Sequence, residues 1–217
     1  MEYSVSGVGV LDKSVSILAS VGARPMALGE LVDSTGLTRA TVHRLAVALE
    51  AHGLLRRDSE GNFALGPNLI ALGRSAVEQL QITEAAARPM EDLRTKTGES
   101  VQLYVRDRDS RVCISALESP HGLRTIVPLG AVLPIDRGSA GRVLEGEVER
   151  GAWVDSVGER ESGVASVSAP VMGPDGLTVL AAVSVSGPID RMGSHPGAAH
   201  GQAVADAAKA IEVALQH

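Results

Sequence analysis

The stretch between Gly36 and Gly53 constrains this chain more than any other. Val42, Leu45, Ala46 and Leu49 recur there at three- and four-residue spacing, which makes one apolar stripe on a helix and none on a strand. Thr38 is placed to cap that helix through its hydroxyl, and the spacing predicts helix over 38–51, closed by His52 and Gly53. The opposite face is polar. Arg39 and His43 are four apart and share one side, and Thr41 and Arg44, three apart, lie beside them.

Two shorter helices precede it. Leu11, Val15, Leu18 and Val21 form a stripe over 11–21, stopped by Gly22 and Pro25, and a second helix over 28–34 turns Leu31 and Val32 to the same core. Gly36 supplies the positive φ that a sharp turn between helices needs. After Gly53, the runs Leu54-Leu55-Arg56-Arg57 and Phe63-Ala64-Leu65 flank an Asp-Ser-Glu-Gly-Asn turn, which reads as a β-hairpin. Three helices and such a hairpin make a winged helix-turn-helix. Its third helix is the one that enters a major groove, with Arg56 and Arg57 on the wing against phosphates. A polar helix face is more often only solvated, so this pattern alone leaves a protein-protein role open.

Charge has to be divided along the chain before it informs. The net charge of -6 splits into -1 over 1–80 (seven Lys/Arg, eight Asp/Glu) and -5 over 81–217 (thirteen, eighteen). Within 37–57, four arginines stand against Glu50 alone, a modest local match to a phosphate backbone.

The length of 217 residues fits two domains. The single cysteine, Cys113, excludes an internal disulfide and sits in an apolar Val-Cys-Ile context, as a structural thiol does. No basic residue precedes an apolar run at the N-terminus and no stretch is long and apolar enough for a membrane span, so a cytoplasmic location is expected.

From residue 8 to 71 the chain resembles the N-terminal domain of IclR-type transcription regulators. Gly9-Val10-Leu11-Asp12-Lys13, the run from Thr35-Gly36-Leu37-Thr38 to His43-Arg44-Leu45, Leu55-Arg56-Arg57-Asp58 and Phe63-Ala64-Leu65-Gly66-Pro67 carry the likeness. The resemblance implies Thr38, Arg39, Thr41, His43 and Arg44 as DNA contacts. It continues through Thr97-Gly98-Glu99-Ser100, Leu133-Pro134, Gly138-Ser139-Ala140-Gly141, the run from Gly163 to Val171, and Ala181-Ala182-Val183-Ser184-Val185-Ser186-Gly187-Pro188. The wording of the last two, with Gly158-Glu159-Arg160-Glu161 before them, is most similar to the actinobacterial NdgR/AreB group, which implies control of amino-acid metabolism, leucine biosynthesis in particular. The family usually has a further helical segment between the Gly138 helix and the Gly163 strand, where only 145–162 stand here.

Beyond a linker helix opened by Pro67, the period changes. A helix over 85–96, with Pro89 near its first turn, precedes an alternating run at 101–105 and further strand runs at 111–117, 123–129, 164–172 and 179–186. A final helix follows, striped by Val204, Ala208, Ile211 and Leu215. The expected architecture is α+β: a winged helix-turn-helix over 1–66, a linker helix over 67–80 and an antiparallel-sheet effector domain over 81–217 that resembles GAF-like sensors. The resemblance implies a ligand pocket at Ser139 and Ala140, Ser166, Ser184 and Ser186. Hydroxyls and a helix start there suit an amino or keto acid. Ser184 and Ser186, two apart, could equally be small packing residues on one strand face.

No nucleophile elbow, phosphate loop or dinucleotide fingerprint occurs, and His195 and His200 lack ligand-spaced partners, so neither an enzyme nor a metal or cofactor site is expected. The reading is a homodimer, pairing further into a tetramer in one version, that binds double-stranded operator DNA under control of a small metabolite. The alternative is a metabolite-binding module whose helix-turn-helix serves protein-protein dimerisation.

Overall fold

The computed structural model describes residues 6–216; residues 1–5 of the expected first domain and 217 of the last lie outside the described residues. The chain forms two compact units that divide between Val77 and Glu78.

The first unit holds α1 (Gly9–Ala23), α2 (Leu28–Thr35), α3 (Arg39–Ala51), the hairpin β1 (Leu55–Arg57) and β2 (Phe63–Leu65), and α4 (Pro67–Glu78), which ends just past the division. Its core is Ile17, Val21, Leu31, Val42, Leu45, Ala46, Leu49, Leu55 and Phe63. The α3 stripe is buried as its spacing requires. That of α1 is not: Leu11 and Val15 are more than half exposed, and burial falls on Ile17 and Val21 in the second half of the helix. Gly36 ends α2 at φ +65°, with its N–H on the Val32 carbonyl. Antiparallel pairing sets Leu55 opposite Leu65 and Arg57 opposite Phe63, and Met26 is bridged to Phe63, tying the hairpin to the loop before α2.

The second unit is a six-stranded antiparallel sheet in the order β5-β4-β3-β8-β7-β6. Its strands are β3 (Ser100–Asp107), β4 (Ser110–Leu117), β5 (Val132–Pro134), β6 (Val154–Val157), β7 (Val164–Met172) and β8 (Val179–Pro188). Strand alternation gives the sheet two different faces. Val101, Leu103, Val167, Val171, Val183 and Val185 point to one side and pack on α5 (Gln81–Thr97) and α8 (Pro196–Ala214). Tyr104, Cys113 and Ala182 join Ala140, Val143 and Leu144 of α6 (Ser139–Leu144) in a smaller cluster. Short α7 (Ile189–Met192) follows β8.

Three expectations are corrected. Residues 123–129 form no strand: Pro128 cannot donate to a ladder, and the β4 edge is taken by β5, Val112 opposite Val132. Helix α5 starts at Gln81, which leaves Pro89 in its interior. The continuous stripe Ile82, Ala86, Met90 and Leu93 buries enough apolar surface to outweigh the lost backbone bond. In the stretch 145–162, β6 pairs with β7, Ser156 opposite Ser166, an element that its short mixed sequence did not announce.

Candidate functional site

On the first unit, α3 is held from behind and open in front. Val42, Leu45, Ala46 and Leu49 fix its inner side; Thr38, Arg39, His43 and Arg44 are exposed and Thr41 is half-buried. Thr38 caps the helix, accepting from the Thr41 N–H at 3.3 Å, and the two threonine hydroxyls lie 2.9 Å apart, so both are partly committed to the helix itself. The side chains of Arg39, His43 and Arg44 have no hydrogen bond or ion pair with another described residue. They remain available to a ligand, as donors to phosphate or base edges must be.

The wing arginines differ. Strand alternation separates them, and Arg57 is already engaged: its guanidinium lies 3.6 Å from the Phe63 ring centroid, donates to the Gly61 carbonyl at 2.7 Å and stands 3.6 Å from Glu50. Arg56 is exposed and makes no such contact.

On the second unit, Ser139, Ala140, Ser166, Ser184 and Ser186, the five positions expected at a pocket, line one small cavity together with Tyr104, Arg111, Gly138, Ser156, Arg160 and Val164. The sheet register assembles it, since Ser166 is opposite Ser186 and Ser168 opposite Ser184 on neighbouring strands. Ser139 stands 2.7 Å from both Ser166 and Ser168, Ser168 donates to Ser184 at 2.9 Å, and Ser186 donates to Gln102 at 2.9 Å. Ser184 therefore belongs to a hydroxyl network with Ser139, Ser166 and Ser168, and Ser186 is tied to the Gln102 amide oxygen. The free volume is about 20 Å³, room for a water molecule.

Close approach of α6 to the strands depends on Gly141, where a side chain would run into the Ile135 carbonyl and into Arg111 Nη1 at 2.8 Å. Burial sets the electrostatics. It pushes the Tyr104 hydroxyl well above its usual range, raises the Cys113 thiol to about 11 and lowers Arg111. An inert, buried Cys113 matches the structural role read from its neighbours.

Ser168, Ser156, Gln102, Tyr104 and Arg111 were not singled out in the sequence. Period two from Ser166 reaches Ser168 directly. Arg111 follows a charged turn and carries no sequence signal of burial, and only the fold shows it buried.

Taken together, a winged helix-turn-helix with an unpaired cationic helix face and an antiparallel sheet carrying a polar cavity define a DNA-binding regulator architecture with an effector domain. The signature described as the IclR helix-turn-helix domain matches residues 10–59, and that described as the bacterial transcriptional regulator IclR C-terminal matches 74–147 and 143–213. The chain belongs to the IclR family of bacterial transcriptional regulators.

Among relatives, the HTH-type transcriptional regulator KipR of Bacillus subtilis is 31% identical over 133 residues, 61% of this chain and 53% of its own length. The glycerol operon regulatory protein of Streptomyces coelicolor is 25% identical over 218 residues, covering 84% and 85%. The chain thus spans about half of the first and most of the second. Among solved structures, the regulator from Alicyclobacillus acidocaldarius superposes with TM-score 0.79 at 20% identity, over 98% of this chain and 100% of that one. An IclR homolog from Microbacterium hydrocarbonoxydans, complexed with 4-hydroxybenzoate, gives 0.77 at 19% identity over 95% and 99%. Family members regulate transcription by binding DNA and are not enzymes.

No helix among the described residues is long and apolar enough to cross a membrane.

Proposed function

We propose that this chain reads a palindromic operator as a homodimer through the first turns of α3, and that a small organic acid bound in the serine-lined cavity alters that binding. The observation that carries the reading is the α3 surface: Arg39, His43 and Arg44 stand exposed and unpaired on a helix whose other side is locked into the core. The 4-hydroxybenzoate complex of one homolog supports a small carboxylic acid as the effector class. The wording around 158–188 favours genes of amino-acid metabolism of the leucine type. Lower leucine-biosynthetic transcripts, or higher ones, in a strain lacking the gene would support that assignment, and unchanged ones would remove it.

Half-sites about one helical turn apart, or a multiple of it, follow from two symmetry-related recognition helices. Gel retardation of the protein's own upstream DNA tests the central reading. Arg39→Ala and Arg44→Ala are expected to abolish retention at moderate salt. No retention of DNA by the unaltered protein even at low salt would favour a helix-turn-helix used only for protein dimerisation.

A further inference from the structure

The outer face of α3 is not uniformly polar. Val42, Leu45, Ala46 and Leu49 fix the direction of the core. With about 100° of rotation per residue, Ala40, Arg44, Val47 and Ala51 are the residues that point most directly away from it, and all four are exposed. Arg39 and Thr41 lie roughly 100° from that direction, one on each flank of the helix. The Thr41 hydroxyl is moreover 2.9 Å from that of Thr38, and so already partly used. A branched aliphatic side chain, Val47, 42% exposed, therefore stands in the middle of the surface that presents the cations. His43 and Arg44 precede it by four and three residues, one turn back on the same side.

Charge decides what covers this valine. Arg39, His43 and Arg44 have no carboxylate partner, and the acid of α3, Glu50, is half-buried and stands 3.6 Å from Arg57 of the wing. An apolar protein surface seated on Val47 would bury those cations unpaired, which is strongly unfavourable. A duplex meets both needs. It carries phosphates along the groove rim for the cations and, on the floor of the major groove, one apolar group, the C5 methyl of thymine. The edges of the other bases there present donors and acceptors that an aliphatic side chain cannot satisfy. Ala40, on the same line of the helix, is short enough to let the α3 backbone come close to that floor.

We propose that Val47 is a specificity-determining residue of α3 and reads the methyl group of one thymine in each half-site. That thymine lies within about two base pairs of the base met by Arg44, since three residues of helix rise about 4.5 Å against about 3.4 Å per base pair. The inference rests on the operator-binding reading of α3 and deepens it, adding a base-reading residue beyond the segment from Thr38 to Arg44.

The probe is a duplex of the stretch of upstream DNA that the full chain protects from nuclease cleavage. Each thymine in it is replaced in turn by deoxyuridine, which removes the C5 methyl and leaves every hydrogen-bonding group in place. At one thymine per half-site the unaltered protein is expected to lose about three- to tenfold in affinity, the size of burying one or two methyl groups. Val47→Ala places a better helix former at an exposed position, so it is expected to fold, to bind the thymine duplex more weakly, and to be indifferent to that one replacement. A role in packing alone would weaken both duplexes and keep their ratio, which makes the ratio the deciding readout. A flat deoxyuridine profile with DNA still retained, or a thymine dependence kept in Val47→Ala, would overturn the proposal and leave the operator reading standing. A lower sedimenting mass for Val47→Ala would assign the valine to a protein interface and overturn it as well. No DNA retained by the unaltered protein at low salt would take down the operator reading and this inference with it.

Discussion

Trp153 lies against α8 where two glycines, Gly197 and Gly201, stand one turn apart; a Cβ on either would overlap its indole, Nε1 lying 2.5 Å from the one at 201. Glycine inside a helix is normally a cost of about 1 kcal/mol relative to alanine. Here the missing side chains make the groove that lets an aromatic ring cover the helix. Gly201→Ala is therefore expected to destabilise the second unit by about 1–3 kcal/mol, against the sign that helix propensity alone predicts. Urea unfolding followed by Trp153 fluorescence would measure it, and a stabilised variant would show that the indole moves aside freely. Arg111 makes the same point about context. In the sequence it is a cation next to a turn, and in the fold it is a buried fork beside the Tyr104 ring, 5.5 Å from its centroid.

The hairpin shows how an element divides labour between neighbours. Arg56 and Arg57 are adjacent in sequence, but alternation sends their side chains to opposite faces, and the Phe63 ring and Glu50 hold only Arg57. Arg56→Ala is expected to weaken DNA binding uniformly across sequences and to reduce the salt slope by about one, as loss of a single phosphate contact does. Arg57→Ala is expected to cost stability of the first unit while changing the salt slope less. Retardation titrations over a salt series, with thermal melts of both variants, would separate the two; equal salt slopes would mean that both arginines reach the duplex. The same alternation on β7 and β8 was readable in the sequence, because Ser166 and Ser168 must share a face. The false strand at 123–129 was not, because its run of Ile126 and Val127 between turn residues has strand composition, and the ladder position it needed belongs to β5.

At the scale of the whole chain, each unit has its own apolar core, with Phe63 fully buried in the first. Phe63→Ala removes the largest fully buried side chain and is expected to cost about 3–5 kcal/mol in that unit. Calorimetric scanning should show the melting of the first unit displaced downwards, with DNA retention lost, while the transition of the second unit stays in place. A single transition shifted as a whole would mean that the units do not unfold separately.

Local pattern determined much of this protein: the three helices and hairpin, the α3 face and several strands follow from spacing and turn chemistry, and the five cavity positions from the resemblance of short motifs to the family. These signals are short-range, so one sequence suffices to carry them. Tertiary structure alone decided which half of α1 is buried, that β5 and not 123–129 closes the sheet edge, and that Arg111, from beside a charged turn, joins serines from β7, β8 and α6 around one cavity. Burial and the pairing of a charge depend on what the rest of the chain brings alongside, and no periodicity in a segment encodes its neighbours.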